Sequence, residues 1–309
     1  MHLLRELEPD AKGMRHERGA YRGYDLNVRA DAELWLGSLP THLAPHREVM
    51  RALVREAERD PGIRILVVGC SLGRGAADEL SDVDAMYGVV ESAWRDAVRD
   101  SAAVVRRVGD VIDMHQQIIE PANRELPPFQ HTFAQYASGV QLDLVVGIAR
   151  ERQAPRPDWI VLYDPDGRIE GEARSVAATE DQVRQWMHVA LVHLSACAKY
   201  LTRGSLWEAN AQLDAARAEL WRLWAVAERI ADPQYGLTAV LDAPDAPMPE
   251  NIEATVAGLD RRALRSAAMS CGELLVWTWP RAISAVATAD LAMPPLAEWV
   301  LRQLRDVAT

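Results

Sequence analysis

The segment between residues 67 and 90 constrains the fold of this chain more than any other, because it joins two apolar strands through a glycine-containing turn. Its sequence is VVGCSLGRGAADELSDVDAMYGVV. Side chains alternate between the two faces of a strand, so Asp82 and Asp84 point to one face while Val83 points into the core. Two carboxylates on one face predict a site for a hard cation, and oxygen ligands suit Mg²⁺.

The turn before the second strand has the residue types of an anion-binding loop. Gly73 and Gly75 let the backbone turn and approach anionic oxygens closely, and Ser71 can donate a hydrogen bond to a terminal phosphate. Arg74 adds a positive charge for the same phosphates. Because Mg²⁺ keeps several waters and is completed by substrate phosphates, the segment predicts a bound nucleotide.

These residues resemble the signature of the nucleotidyltransferase superfamily, in which Gly-Ser is followed by Asp-x-Asp. Here Cys-Ser at 70–71 precedes Asp-Val-Asp at 82–84, so a cysteine stands where the signature has glycine, and Ser81 comes just before the first aspartate. The resemblance implies an α/β catalytic domain with a mixed sheet, ATP or another NTP as donor, and one or two Mg²⁺ ions. It also implies nucleotide contacts from Ser71, Arg74 and Ser81.

A third carboxylate, Asp143, lies in the apolar run GVQLDLVVG and matches the third carboxylate of that superfamily. A carboxylate among leucines and valines is costly to bury unless a cation or hydrogen bonds compensate it. The resemblance implies a metal ligand, a general base or both. Asp113 and His115 are the competing base, since imidazole suits proton transfer near neutral pH, or else polar residues of a half-exposed strand. The sequence assigns no role to His131.

Lysine is rare in this chain, and Lys199 is the only lysine beyond the N-terminal segment. It opens the run KYLTRGSLWEANAQLDAARAEL, which resembles the helical-domain pattern of bacterial nucleotidyltransferases related to aminoglycoside-modifying enzymes. Related antibiotic nucleotidyltransferases often supply a phosphate-contacting lysine from that domain, and the resemblance extends this role to Lys199. The alternative is an exposed residue on a helix.

Composition and net charge limit the kinds of partner that we expect for this chain. The 309 residues carry a formal net charge of −11, which argues against a nucleic-acid-binding surface and would suit a cationic acceptor. No apolar run approaches the roughly 18 residues that span a membrane, and no signal-peptide core is present, so a cytoplasmic protein is expected. The three separated cysteines are expected to be buried thiols, at positions Cys70, Cys197 and Cys271.

Hydrophobic periodicity predicts an α/β domain with a mixed sheet, followed by an all-α helical-bundle domain. The expected divisions are an irregular arm over 1–40, a catalytic domain over 41–175 and a helical domain over 176–309. The first domain should contain helices near 46–60 and 92–107, and strands near 63–69, 82–90 and 110–118. A hairpin over 131–147 should turn at Ser138-Gly139, and a short strand should follow it.

In the second domain the patterns predict helices near 180–201, 205–231, 252–273, 275–287 and 296–306. Arg203-Gly204 should end the first of them, and Pro280 should force a kink or a restart. Most tryptophans of this half should belong to the core. They are Trp186, Trp207, Trp221, Trp224, Trp277, Trp279 and Trp299.

Motif and resemblance together predict a metal-dependent nucleotidyltransferase, in which Asp82 and Asp84 hold Mg²⁺ on the triphosphate and Asp143 completes the site. AMP from ATP would be transferred to a hydroxyl of a small molecule, and an aminoglycoside-like antibiotic, with resistance as the outcome, is the acceptor that the resemblance suggests. Two alternatives stay open. One is a protein-modifying, antitoxin-like nucleotidyltransferase. The other is a catalytically idle nucleotide-binding regulatory protein, which only Cys70 supports and against which the intact Asp82, Asp84 and Asp143 argue.

Overall fold

The structure of the protein is a computed structural model that describes residues 28–120, 127–174, 177–243, 247–287 and 292–307. A six-stranded mixed sheet in the first half is followed by a set of helices with a hydrophobic core of its own. The predicted fold class, an α/β part followed by an all-α part, is therefore confirmed.

The sheet has the strand order β3-β4-β5-β2-β1-β6. Strands β2 and β5 pair in parallel, and the other neighbours pair antiparallel. The predicted strands and the hairpin are confirmed, and Gly139 supplies the positive φ of 91° at the turn. The strands are β1 (Ile63–Val68), β2 (Val83–Val89), β3 (Val111–Ile119), β4 (Phe129–Tyr136), β5 (Gln141–Ile148) and β6 (Ile160–Tyr163).

Four helices accompany the sheet: α1 (Val28–Ser38), α2 (Ala44–Arg59), α3 (Cys70–Arg74) and α4 (Trp94–Val108). Helices α2 and α4 share a hydrophobic core with one face of the sheet, and Val83 is buried there as predicted. The irregular arm expected over 1–40 is wrong for residues 28–38. Ala32 and Leu36, one helical turn apart, are buried in that same core, and α1 packs against β6. Residues 1–27 lie outside the described residues.

The second half consists of α5 (Glu180–Arg203), α6 (Leu206–Ala227), α7 (Leu237–Asp242), α8 (Arg261–Val286) and α9 (Pro295–Asp306). Thr179 and Gln182 form a capping box at the start of α5, and Gly204, with a φ of 75°, ends it as predicted. None of the described helices combines the length and apolar composition needed to cross a bilayer.

The helices predicted over 252–273 and 275–287 are wrong in their division. Residues 252–255 form one short 3-10 turn, and α8 begins only after Asp260, whose side chain accepts a hydrogen bond from the Ala263 amide. The helix then continues through Pro280. A proline inside a helix costs about 3 kcal/mol, and burial of the neighbouring Trp279 and Ile283 against the helical core offsets that cost.

The tryptophan prediction holds for four of the seven residues. Trp186, Trp221, Trp224 and Trp279 are buried, whereas Trp207, Trp277 and Trp299 are exposed. Two of the three cysteines, in α5 and α8, are buried thiols as expected, and the third, at the start of α3, is half-buried.

Candidate active site

The predicted carboxylates gather on the sheet face opposite helices α2 and α4. Asp84 of β2 lies directly beside Asp143 of β5 in the parallel register, and Asp82 immediately precedes β2. The charges of Asp82 and Asp143 both act on Asp84. Pairing of β2 with β5 thus brings together residues that are about sixty positions apart in the chain.

Asp84 is the electrostatically strained member of this group. Burial raises the pKa of Asp84 to about 6, and the nearby charges of Asp82 and Asp143 act in the same direction. A hydrogen bond from the Cys70 thiol opposes the rise. Within the described ranges, no basic side chain pairs with Asp82 or Asp84, so a bound cation would relieve their repulsion.

Asp143 is held differently from the other two carboxylates. Its Oδ1 lies 2.5 Å from Nε2 of His131, a residue of β4. No group of three or more His, Cys, Asp or Glu side chains in the described part of the chain is arranged to hold a metal ion. The carboxylates without a described basic partner are therefore a pair, Asp82 and Asp84, and Asp143 beside them is already engaged by His131.

Helix α3 begins in an unusual backbone conformation. Cys70 has a φ of 54°, in the left-handed region, where a residue other than glycine costs about 1 kcal/mol. Burial raises the pKa of the Cys70 thiol to about 12, and the Asp84 charge adds to the effect, so the thiol stays protonated and donates to Asp84. At Gly73, a Cβ would lie 1.7 Å from the Asp158 carbonyl oxygen, so only glycine fits.

A cavity of about 670 Å³ opens between this carboxylate face and the helical half. Five aspartates and a single arginine line it, so its charge is strongly negative. The wall opposite the sheet comes from the segment 230–243 and is largely apolar. The lining residues are Cys70, Ser71, Arg74, Ser81, Asp82, Asp84, Pro157, Asp158, Ile230, Ala231, Asp232, Tyr235, Thr238, Ala239, Asp242 and Ala243.

The three predicted phosphate-binding residues differ in how their side chains are engaged, and Ser71 is the one whose hydroxyl has no described partner. Its Oγ is buried and has no hydrogen-bond partner among the described residues. Arg74 also lines the cavity, but its guanidinium is paired with Asp242 at 2.5 Å and with Asp158 at 3.6 Å. Ser81 uses its hydroxyl locally: it accepts from the Asp78 amide and donates to the Asp78 carboxylate.

Three other sequence candidates lie away from the cavity. Lys199 is exposed near the end of α5, with its Nζ 4.6 Å from the centre of the Tyr200 ring. Asp113 and His115 are exposed on β3, and Asp113 accepts a hydrogen bond from the adjacent Met114 amide. The structure therefore does not bring Lys199, Asp113 or His115 to the cavity.

Sequence reasoning missed His131, Asp158 and the cavity wall that includes Tyr235. The signal for His131 was the hairpin register: a turn at Ser138-Gly139 places the start of β4 beside the segment around Asp143. Asp158, whose carboxylate accepts from the Cys70 amide, carried no such signal. Its contact joins positions 88 residues apart.

No protein-family model matches the chain, and no curated protein matches it. Among solved structures, it is similar to an aminoglycoside 6-adenyltransferase from Bacillus subtilis, at 16% identity and a TM-score of 0.38, over 87% of this chain and 99% of that one. It is also similar to the structure of the GLD-2/RNP-8 complex, at 12% identity and a TM-score of 0.26, over 81% of this chain and 73% of that one.

Proposed function

We propose that this protein is a metal-dependent nucleotidyltransferase that transfers AMP from ATP to a hydroxyl of a small molecule and releases pyrophosphate. One observation carries the proposal. Asp82 and Asp84, which no described basic residue neutralises, lie together on the wall of a cavity of about 670 Å³. That volume is within the usual range for small-molecule sites, about 300–1,000 Å³.

The residues present fit a divalent cation. The raised pKa of Asp84 reflects burial and like charges, and both are relieved when carboxylates coordinate a metal. Asp82 and Asp84 would hold Mg²⁺, which takes few protein carboxylates and completes its shell with water and phosphate. When bound, the ion would neutralise the charge on the triphosphate and on the departing pyrophosphate.

The remaining residues bind and orient the donor. The unpartnered Ser71 hydroxyl donates to a phosphate oxygen, and Arg74 joins it on exchanging Asp242 for phosphate. Because no described basic residue neutralises Asp82 and Asp84 on the cavity wall, a triphosphate enters only together with its cation. The apolar wall around Tyr235 accommodates the base.

The acceptor is proposed to be a cationic small molecule, such as an aminoglycoside-like antibiotic. The support is electrostatic, since the chain carries a net charge of −11. Asp143 receives the proton of the attacking hydroxyl, because it lies directly beside Asp84 in the strand register.

The test is Mg²⁺-dependent pyrophosphate release from each of the four common NTPs, with and without a panel of aminoglycosides and lincosamides. Asp84→Ala serves as the blank. Release that an acceptor stimulates and that Asp84→Ala abolishes would support the proposal and identify the acceptor class. A mass increase on a protein instead of a small molecule would favour the protein-modifying alternative, and tight Mg-NTP binding without release would favour a regulatory role.

A further inference from the structure

The sheet face that carries Asp143 extends beyond the cavity towards the β3 edge. The cross-strand register places Asp84, Asp143, Phe133 and His115 in one row across β2, β5, β4 and β3. Asp84 lines the cavity, whereas the other three residues of the row do not. Phe133 stands between the Asp143 carboxylate and the His115 imidazole, and its side chain is 38% exposed. The surface beside Asp143 is therefore open on the side away from the cavity.

His131 fixes the Asp143 carboxylate at the border of this surface. It stands opposite Gln117 on one side and Val145 on the other, and its Nε2 reaches diagonally to Oδ1 of Asp143 at 2.5 Å. The side-chain amide nitrogen of Gln117 lies 3.5 Å from Nδ1 of His131. An amide N–H directed at Nδ1 leaves the imidazole proton on Nε2, which then donates to Asp143.

We propose that His131 is a positioning residue for Asp143, and that the acceptor hydroxyl reaches Asp143 over β4, from the Phe133 side. The inference rests on the proposed function. With Oδ1 of Asp143 engaged by His131, Oδ2 faces the acceptor. The cavity is then left to the nucleotide, and donor and acceptor approach Asp84 and Asp143 from opposite sides.

Every proton, bond and electron pair of the transfer is accounted for in this arrangement. Oδ2 of Asp143 takes the proton of the acceptor hydroxyl, and the acceptor oxygen forms a bond to the α-phosphorus. The bond from that phosphorus to the oxygen bridging to the β-phosphate breaks, and pyrophosphate leaves with the electron pair. His131 neither gains nor loses a proton, since it only keeps the carboxylate in place. The exposed Phe133 ring favours an acceptor with an apolar face beside its reactive hydroxyl.

Two substitutions at His131 separate positioning from a merely structural role. His131→Ala removes the donor to Asp143 and should lower kcat by about 30-fold, as loss of an orienting partner commonly does, with the KM for ATP unchanged. His131→Gln keeps an N–H donor and should recover part of the rate. Phe133→Ala should raise the KM of the acceptor and leave that of ATP unchanged. His188→Ala, which removes an exposed histidine of α5, is the matched control and should match wild type.

The acceptor used is the panel compound with the highest wild-type rate, or water if none stimulates release. Binding of Mg²⁺ with the non-hydrolysable analogue AMP-CPP, measured by calorimetry, should be equal for wild type, His131→Ala and His188→Ala. Imidazole NMR adds a readout without turnover: a hydrogen-bonded Nε2–H signal should be present in wild type and His188→Ala, and absent from His131→Gln.

A normal kcat for His131→Ala, or an equal loss in His188→Ala, would overturn this inference. So would a weaker affinity of His131→Ala for Mg-AMP-CPP, since His131 would then serve the donor side. Failure of the proposed function has a different pattern: wild type would not bind Mg-AMP-CPP, or it would bind Mg-ATP without releasing pyrophosphate, or Asp84→Asn would turn over normally.

Discussion

Carboxylates with little solvent exposure differ in their partners between the helical half and strand β2 of the sheet. In the helical half, Glu219 is paired with Arg222 at 2.5 Å, and Glu228 is paired with Arg281. On the sheet, Asp84 instead faces two further carboxylates, Asp82 and Asp143. Paired charges are consistent with a packing role, whereas unneutralised like charges cost stability and mark a candidate binding site.

The largest expected effect is on catalytic activity, and it concerns Asp84 on the sheet. Asp84→Asn keeps the shape of the side chain but removes its charge, so Mg²⁺-dependent pyrophosphate release should fall about 1,000-fold or more. Asp113→Asn, which removes an exposed carboxylate from β3, is the control and should turn over normally. Near-normal release by Asp84→Asn would remove Asp84 from the site and would erase the functional contrast between the halves.

The next largest effect is on the free energy of unfolding, and it is expected for a substitution in the helical half. Leu220 of α6 is fully buried, and Leu220→Ala should lower the free energy of unfolding by about 3 kcal/mol, since it loses apolar burial and leaves a cavity. Urea unfolding measures the change, and the folded fraction should retain the wild-type kcat. The control is Leu34→Ala on an exposed face of α1. A cost below that of Leu34→Ala would mean that this core is not tightly packed.

A smaller effect on stability is expected at Asp84, because neutralising its carboxylate stabilises the folded state. Its pKa is raised from 3.8 to about 6, so the folded state holds the proton more tightly than the unfolded state does. Stability from this group is therefore present below pH 4 and is lost as the pH rises through 6. In EDTA at pH 7.5, Asp84→Asn should be more stable than wild type by about 1 kcal/mol.

Thermal unfolding across this range checks the sign. The advantage of Asp84→Asn should shrink as the pH falls from 7.5 to 4, and Mg²⁺ should raise the Tm of wild type more than that of the variant. If the variant were less stable than wild type at pH 7.5 in EDTA, the carboxylates would not be repelling one another.

The smallest effect concerns the backbone at the start of α3. Cys70→Gly and Cys70→Ala both remove the thiol that donates to Asp84, but only glycine adopts a φ of 54° without strain. Cys70→Gly should therefore be more stable than Cys70→Ala by about 1 kcal/mol in urea unfolding. Equal stabilities would show that this turn relaxes when its side chain is shortened.

Local patterns predicted much of the fold. Strands β1 and β2, the β4–β5 hairpin and the end of α5 at Gly204 follow from alternation, turn residues and capping, because each depends on residues close in the chain. Helix α1 and the unbroken α8 were not predicted. Their stability comes from burial of Leu36 and Trp279 in separate cores, and tertiary packing outweighs local propensity there.

For the candidate site, the sequence by itself determined the face of its strand on which each of Asp82, Asp84 and Asp143 lies, since alternation along an apolar strand sets that face. Only the tertiary structure decided their partners. It paired Asp143 with His131, tied Arg74 to Asp242 of the helical half, and left Lys199 outside the cavity. Those outcomes depend on contacts between distant segments, and no local periodicity encodes which charged side chains will meet once the chain is packed.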